Sequence, residues 1–409
     1  MVTHQSGYRR SALPDRRQRS GQMSALQSKT VTASELIDRT EALLPGIAER
    51  ALRAERERRI PQETIDEIRA AGLNRVMQPV GWGGFGLDFD AFFEISWRIA
   101  SACGSTGWVY SVSTVQNWEM GLGSEQAQAD FYAGGDVLSC SAFNPRGARA
   151  ESVNGGWMLS GRWQYASGCL HADWAMLGAI VPEFTGPILL LVPKSDFRVD
   201  DTWHVSGLRG TGSNDIVIET PVFVPGHRFV RPTTEAAPGK PQPRRGAYRA
   251  PIASVAPWGV VTPVIGMAQG ALNAYEAATR TRVTAFSGKP VSLMAGAQMR
   301  VSEAAASLDA ARALARQDIC EIMESGGSFS NDDRVRIRRD HAYIVNLCYD
   351  ATMLIARAAG ASSLFEANPI QRFMRDLHAG AMQVVSNWDE QAESYGRVRM
   401  GLEPNGQSW

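Results

Sequence analysis

The spacing of apolar residues changes twice along this chain of 409 residues. Residues 30–135 and 236–409 place apolar side chains at helical spacing, and the second segment is rich in alanine. Residues 136–235 instead have short apolar runs separated by Gly, Pro and Asn, which is typical of short strands joined by turns. The sequence therefore predicts a mainly α protein with a central β unit. We expect a helical domain over 30–135, a small barrel or sandwich over 136–235 and a helical bundle over 236–409.

Residues 1–29 are polar and Arg-rich and have no hydrophobic period, which predicts a disordered basic tail. Either Met1 or Met23 is the native start. The tail lacks the apolar segment of a secretory signal, and no apolar run reaches the roughly 18 residues of a spanning helix. The 42 basic and 42 acidic side chains balance, so neither nucleic acid nor a membrane is expected as a partner.

The five cysteines are scattered and form no CxxC pair, which argues against disulfides and for a reducing, cytoplasmic compartment. The six histidines have no metal-ligand spacing, so no metal is expected. Residues 81–86 match GxGxxG but lack the preceding strand and the following acid of a dinucleotide site, so we predict a loop there. No P-loop or GxSxG motif occurs. The chain therefore shows no nicotinamide site.

Two glycine-rich runs in the β unit give the main functional signal. Residues 161–169 (GRWQYASGC) and 207–214 (GLRGTGSN) combine aromatic or apolar side chains with glycines and hydroxyls. Glycine lets a backbone approach a flat ligand closely, and a serine hydroxyl both donates and accepts hydrogen bonds. An aromatic side chain such as Trp163 can cover the face of a ring. This combination fits a flavin.

Outside the β unit, two groups of residues each have two interpretations. His378 is either a histidine at a helix end or an acid–base group, because the ordinary histidine pKa near 6.5 suits proton transfer at neutral pH. Its neighbour Asp376 is expected to form a structural charge pair. Arg282 and Lys289, with Phe286 between them, either bind a phosphate or form a solvated face. The residues alone leave both questions open.

Taken together, these segments resemble the acyl-CoA dehydrogenase superfamily over residues 32–405. That fold has an N-terminal helical domain, a middle β-barrel and a C-terminal four-helix bundle. Within the superfamily, residues 163–174, 207–214 and 375–380 are most similar to the two-component flavin-dependent monooxygenases. This branch includes p-hydroxyphenylacetate, secosteroid phenol and indole hydroxylases, some of them from secondary metabolism.

The resemblance implies that Ser167 bonds to N5 of the flavin and that Trp163 packs at its ring. The other implied cofactor contacts are Ser141, Asn144, Gly168, Arg209, Gly210, Thr211 and Ser213. The cofactor phosphate would be held by Arg282, Phe286 and Lys289, across a subunit interface. His378 would be the acid–base residue and would contact the substrate together with Gln116 and Trp118.

Two departures from the phenol hydroxylases bear on the substrate. Gln116 stands where those enzymes often have a histidine. Gly380 stands where at least one of them has a side chain that contacts the substrate. The resemblance is therefore compatible with a substrate other than a simple phenol.

The resemblance further implies an oxygenase component that uses externally supplied FADH2 or FMNH2 and molecular oxygen. It would hydroxylate a phenolic, indolic or polycyclic aromatic substrate through a flavin C4a-hydroperoxide. A separate NAD(P)H:flavin reductase would be its partner, and a homotetramer or homodimer its assembly. Three alternatives stay open: an acyl-CoA dehydrogenase with Asp389, Glu390 or Glu393 as the base, an oxygenase acting at nitrogen or sulfur, and a non-redox helical assembly protein.

Overall fold

The computed structural model describes residues 31–231, 246–250, 252–325 and 328–405. The predicted tail and the choice of start residue lie outside these ranges, as does most of the connector that follows the β unit. Along the described residues, helices are followed by strands and then by helices again. The mainly α fold class with a central β unit is therefore confirmed, while the domain boundaries stay predictions.

Five α-helices precede the strands in the described residues. They are α1 (Ala33–Glu57), α2 (Gln62–Ala70), α3 (Phe89–Ala102), α4 (Gly104–Met120) and α5 (Glu125–Phe131). Helix α1 begins at a capping box in which Thr32 Oγ1 accepts the Glu35 backbone N–H and the Glu35 carboxylate accepts the Thr32 N–H. The GxGxxG letters lie between α2 and α3, outside any α-helix or strand, as predicted.

The β unit consists of two four-stranded sheets. The strands are β1 (Ser139–Ala142), β2 (Ala148–Val153), β3 (Gly156–Ala166), β4 (Trp174–Ala179), β5 (Ile188–Pro193), β6 (Arg198–Asp200), β7 (Asn214–Pro225) and β8 (Phe229–Val230). The sheet orders are β1-β4-β5-β8 and β2-β3-β7-β6, and only β1 and β4 pair in parallel. Apolar side chains from both sheets, among them Leu159, Leu177 and Ile216, form one buried cluster.

The C-terminal helices enclose the largest core of the protein. They are α6 (Ile252–Val255), α7 (Trp258–Thr281), α8 (Ala295–Glu324), α9 (Asn331–Ala359), α10 (Pro369–Ala381) and α11 (Trp388–Arg399). The sequence pattern suggests one helix over 368–390, but the structure divides it into α10 and α11. Between them the Gln383 side chain accepts the Val385 backbone N–H at 2.9 Å, which favours a turn over continued helix.

Helix α7 is the central helix of this bundle. Residues 252–281 include a window long and apolar enough to cross a membrane, and 72% of that window is buried inside the protein. Helices α3, α4, α9 and α10 all pack against α7. Burial within the bundle accounts for its apolar composition.

Candidate active site

Helix α4 lies between the bundle and the β unit and contacts both α7 and β1. Every residue of α4 is buried except Val112. Trp108 and Gln116, one turn before and one turn after Val112, lie on the same face of α4. Both side chains reach the β unit. The Trp108 indole N–H donates to Ser167 Oγ at 3.2 Å, and the Gln116 amide donates to Ser141 Oγ at 2.6 Å. This face of α4 therefore lies against the β unit at Ser141 and Ser167, which like Val112 are only partly buried.

The segment before Ser167 leaves strand β3 through a β-bulge. Between Trp163 and Ala166, β3 has one residue more than the facing strand β7. Tyr165 lies in this bulge with a φ of 67°, and its side chain is 68% exposed. Pairing with β7 resumes at Ala166, which is opposite Asn214, and the next residue, Ser167, accepts a hydrogen bond from α4.

Gly168 joins the two glycine-rich runs. It has a φ of 75°, and its N–H donates to the Thr211 carbonyl at 2.9 Å. A Cβ placed on Gly168 would lie 2.9 Å from Cγ1 of Val109, so a larger residue would both strain the backbone and collide with α4. The structure thus brings residues 161–169 and 207–214 together, as their shared composition suggests.

The hydroxyl groups of the two runs are linked by hydrogen bonds. Ser167 Oγ lies 2.8 Å from Ser213 Oγ, and Ser213 Oγ lies 2.7 Å from Thr211 Oγ1. The Thr211 hydroxyl in turn donates to the Leu208 carbonyl at 2.8 Å. Ser213 and Thr211 are buried, whereas Ser167 is only partly buried and keeps some exposed surface.

Helix α10 is attached directly to this loop. The Leu208 N–H donates to Asp376 Oδ1 at 2.6 Å, and Arg375 Nη1 donates to the Ser206 carbonyl at 2.7 Å. A Cβ on Gly207 would lie 1.9 Å from the Arg375 carbonyl oxygen, so the backbones are in close contact. Burial raises the pKa of the Asp376 carboxyl to about 6. The expectation of a structural charge pair for Asp376 is replaced by a backbone hydrogen bond to the loop.

His378 lies on the same helix, two residues after Asp376, and its side chain is exposed. Its Nδ1 is 3.1 Å from the Tyr349 hydroxyl, a contact that leaves Nε2 available to a ligand. A Cβ on the neighbouring Gly380 would lie 3.2 Å from the Trp108 indole. The helix that carries His378 therefore packs on the same tryptophan that donates to Ser167.

Two aromatic side chains that were predicted to contact ligands are buried in this structure. The Trp163 side chain is only 1% exposed, and its indole N–H donates to the Gly178 carbonyl at 2.8 Å, so the ring fills the β core and offers no face to a flavin. Trp118 is 0% exposed and packs near Tyr248 in the helical core, so it cannot touch a substrate. Both aromatic side chains are used for packing.

Asn144 and Arg209 have local structural roles here. The Asn144 side chain accepts the Arg146 backbone N–H at 3.1 Å and so begins a short turn after β1. The Arg209 guanidinium donates to the Val205 carbonyl at 3.1 Å and to the Glu55 carbonyl at 3.4 Å, which fixes the loop against α1. Their predicted flavin contacts stay predictions.

The three residues predicted to bind the cofactor phosphate have different surroundings in the structure. Arg282 donates to the carbonyl oxygens of Ala358 and Ala359, so its guanidinium satisfies the end of α9. This interaction argues against Arg282 as a phosphate ligand. The Phe286 side chain is fully exposed, and Lys289 is exposed on the same loop between α7 and α8.

The polar groups near Ser141 and Ser167 suit an organic cofactor rather than a metal ion. No group of three or more metal-ligating side chains occurs in the part of the chain that the structure describes. Gln116 Oε1 is buried and has no hydrogen-bond partner, so it needs an N–H or O–H donor from a ligand. Hydroxyls, an amide oxygen without a partner and a positive-φ glycine fit the polar edge of a flavin.

Comparison with known proteins agrees with this chemistry. The family model "Acyl-CoA dehydrogenase, N-terminal domain" matches residues 40–134, and "Acyl-CoA dehydrogenase, C-terminal domain" matches residues 258–388. The oxygenase subunit HsaA of a flavin-dependent monooxygenase from Rhodococcus jostii is 36% identical over 377 residues, which covers 90% of this chain and 98% of that protein. The chain belongs to the flavin-dependent monooxygenases of the acyl-CoA dehydrogenase superfamily.

Other members of this family are similarly related. The oxygenase component of an FADH2-dependent resorcinol hydroxylase from a Rhizobium species is 34% identical, with 91% of this chain and 95% of that protein covered. Among solved structures, 3-HSA hydroxylase from Rhodococcus sp. RHA1 is 35% identical with a TM-score of 0.84, over 91% of this chain and 98% of that one. XiaF from a Streptomyces species, solved with FADH2 and glycerol, is 26% identical with a TM-score of 0.83, over 96% of this chain and 99% of that one. The chain is therefore a reduced-flavin-dependent monooxygenase.

Proposed function

We propose that this monooxygenase hydroxylates an aromatic substrate with a phenolic, indolic or polycyclic ring, using reduced flavin from a separate NAD(P)H:flavin reductase. One observation carries the proposal. His378, with Nε2 free, stands on a helix bonded to the loop that contacts Ser167. A base on a helix attached to this loop suits a substrate that becomes more nucleophilic when its O–H or N–H loses a proton.

The flavin would be held by the polar groups that border α4. Ser167 would face N5, and Ser141 and Gln116 would contact other polar atoms of the ring or of the substrate. When bound, the reduced flavin supplies the electrons that activate dioxygen. These ring contacts would be the same for FADH2 and FMNH2. The two cofactors share the ring system and differ only at the phosphate end.

The residues of this chain would orient the substrate and manage its proton. Val112 would form an apolar floor under an aromatic ring, and Tyr349 would hold the His378 imidazole by its Nδ1. His378 Nε2 would then accept the proton that the substrate O–H or N–H gives up as the ring carbon is attacked. Gly380 lets α10 pack closely on the Trp108 indole and so fixes the helix that carries His378 beside α4.

A second copy of the chain would complete the site. Phe286 is exposed over its whole surface on the loop that also carries Lys289, and a large exposed aromatic side chain of this kind is typical of an interface. A homodimer or homotetramer would cover Phe286 and place Lys289 near a cofactor phosphate of the partner. Phe286→Ser should then lower the oligomeric mass in light scattering. The same change at Phe223, an exposed aromatic residue of β7, serves as the control.

The dehydrogenase alternative receives no support from the candidate carboxylates. Asp389, Glu390 and Glu393 all lie on α11 and are exposed, and Glu393 bonds to the Asn405 side chain. A base that removes a proton next to a thioester works in a water-excluded site.

A cytoplasmic location completes the proposal, and it agrees with five cysteines that are all free thiols.

Reconstitution with an independent flavin reductase tests the substrate class. The purified chain, the reductase, NADH, FAD or FMN and a panel of phenols, indoles and fused-ring aromatics should yield a hydroxylated ring product. Matched thioethers and amines test the alternative of oxidation at sulfur or nitrogen. If only these heteroatom products form, the proposed aromatic hydroxylation is wrong.

A further inference from the structure

A directed series of hydrogen bonds passes through the Ser167 hydroxyl. The series runs from the Trp108 indole to Ser167, Ser213 and Thr211, and it ends at the Leu208 carbonyl. The separations between successive atoms are 3.2, 2.8, 2.7 and 2.8 Å. We call this series the hydroxyl relay.

The two ends of the hydroxyl relay fix the direction of every proton within it. A carbonyl has no proton to give, so the Thr211 proton points to Leu208 and Thr211 can only accept from Ser213. The Ser213 proton is thereby used, so Ser213 accepts from Ser167. At the other end, an indole nitrogen only donates, so Ser167 accepts from Trp108.

This arrangement leaves Ser167 with one lone pair and no proton for a ligand. A hydroxyl has one proton and two acceptor positions, and Ser213 and Trp108 occupy the proton and one acceptor position. N5 of a reduced flavin carries a hydrogen and can donate to the remaining lone pair. N5 of an oxidised flavin is itself an acceptor and would face a second acceptor.

We propose that Thr211 and Ser213 determine which redox state of the flavin the site binds, by holding Ser167 as an acceptor. This inference rests on the proposed flavin contact of Ser167 and adds two specificity-determining residues that act through the Ser167 hydroxyl. Selection of reduced flavin suits an oxygenase that must capture it from a separate reductase and release the oxidised product.

The surroundings keep the hydroxyl relay from reversing. Ser213 and Thr211 are 4% and 2% exposed, so water does not supply alternative partners. The loop is also fixed at its far end, because the Leu208 N–H is bonded to Asp376. Reversal would require Thr211 to give up its bond to Leu208 while remaining in place.

The test compares affinities for the two redox states in three variants. Thr211→Val removes the acceptor of the Ser213 proton, so that Ser213 can donate to Ser167 instead, and Ser213→Ala removes the acceptor of the Ser167 proton. In both variants the Ser167 proton becomes free for N5 of oxidised flavin. Thr211→Ser keeps the hydroxyl and is the matched control. Anaerobic fluorescence titrations with reduced and with oxidised flavin give the ratio of the two dissociation constants.

We expect both disrupting variants to lose about tenfold of the preference for reduced flavin, since one hydrogen bond is exchanged for an unfavourable contact. A tenfold loss corresponds to a fall of about 30 mV in the midpoint potential of the bound flavin. The Thr211→Ser control should keep the wild-type ratio. Because Ser213→Ala breaks the hydroxyl relay at a second point, the result does not depend on one variant folding.

An unchanged ratio in Ser213→Ala and Thr211→Val overturns the inference, even if both variants hydroxylate the substrate. A ratio that shifts equally in Thr211→Ser also overturns it, because the hydroxyl would then not be the cause. If the wild-type protein binds neither redox state, the proposed flavin site itself is wrong. These outcomes separate the inference from the function on which it rests.

Discussion

The Asp376 carboxylate and the Leu208 backbone N–H, 168 positions apart in the sequence, are joined by a buried hydrogen bond of 2.6 Å. This bond connects the helix that carries His378 to the loop that carries Ser213. Leu208 has a φ of 53°, a backbone conformation that a leucine adopts only when its surroundings impose it. One contact therefore fixes the helix of His378, the proposed base, relative to the hydroxyl relay.

Removing that contact should weaken both the fold and the reaction. Asp376→Ala leaves the Leu208 N–H buried without an acceptor, so we expect the free energy of unfolding to fall by about 1–3 kcal/mol. Asp376→Asn retains an acceptor oxygen and should lose less. Denaturant unfolding followed by circular dichroism measures the difference. Equal stability of Asp376→Ala and wild type would show that the bond does not hold the loop.

His378 should affect the reaction more than cofactor binding. We expect His378→Ala to reduce hydroxylation by about 100-fold or more, the usual contribution of general acid–base catalysis, while the dissociation constant for reduced flavin changes little. Tyr349→Phe keeps the imidazole but removes the hydroxyl at Nδ1, so a smaller loss is expected. Rates measured from about pH 6 to 9 check the assignment. Wild-type turnover of His378→Ala across this pH range would show that His378 is not the base.

Ser167 should control what fraction of the consumed oxygen is transferred to the substrate rather than released as hydrogen peroxide. We expect Ser167→Ala to consume reduced flavin and oxygen but to form less hydroxylated product and more hydrogen peroxide, because the flavin N5 proton loses its acceptor. Ser167→Thr keeps a hydroxyl and is the comparison variant. Product and peroxide are both quantified per reduced flavin consumed. An unaltered product yield in Ser167→Ala would show that Ser167 is not the residue that contacts flavin N5.

Glu119 on α4 should make stability depend on pH. Burial raises the pKa of its carboxyl to about 8, and one carboxylate oxygen has no partner. An unfolded glutamate ionises near pH 4.3, so between about pH 4.3 and the folded-state pKa of about 8 the folded protein binds more protons and stability falls as pH rises. Glu119→Gln removes this loss and should be more stable than wild type near pH 8 by at least about 1.4 kcal/mol, with a smaller difference near pH 5. Parallel pH profiles of unfolding for the two proteins would contradict the assignment.

The sequence predicts the order of elements well because the relevant signals are local. The Thr32 capping box and the change to short apolar runs after residue 135 depend only on neighbouring residues. The same holds for the two glycine-rich runs, whose positive φ at Gly168 and Gly212 is a property that glycine favours.

The orientation of individual side chains depended on features that the sequence pattern does not show. The bulge between Trp163 and Ala166 changes the alternation of inward and outward residues, so Trp163 points into the β core and Tyr165 points out. Trp108 and Val112 follow the helical spacing of Gln116, so a helical projection of α4 would have identified them. The bond between Leu208 and Asp376 joins distant segments and has no local signal.

The most direct test of the function uses isotopically labelled dioxygen. Reduced flavin, prepared photochemically without any reductase, is mixed with the purified chain, labelled dioxygen and each aromatic compound of the panel, and the products are analysed by mass spectrometry. We expect a ring-hydroxylated product that carries one labelled oxygen atom. The His378→Ala variant should form far less of this product. If every compound gives only oxidised flavin and hydrogen peroxide, or if the product oxygen comes from water, the account of this chain as an aromatic monooxygenase is wrong.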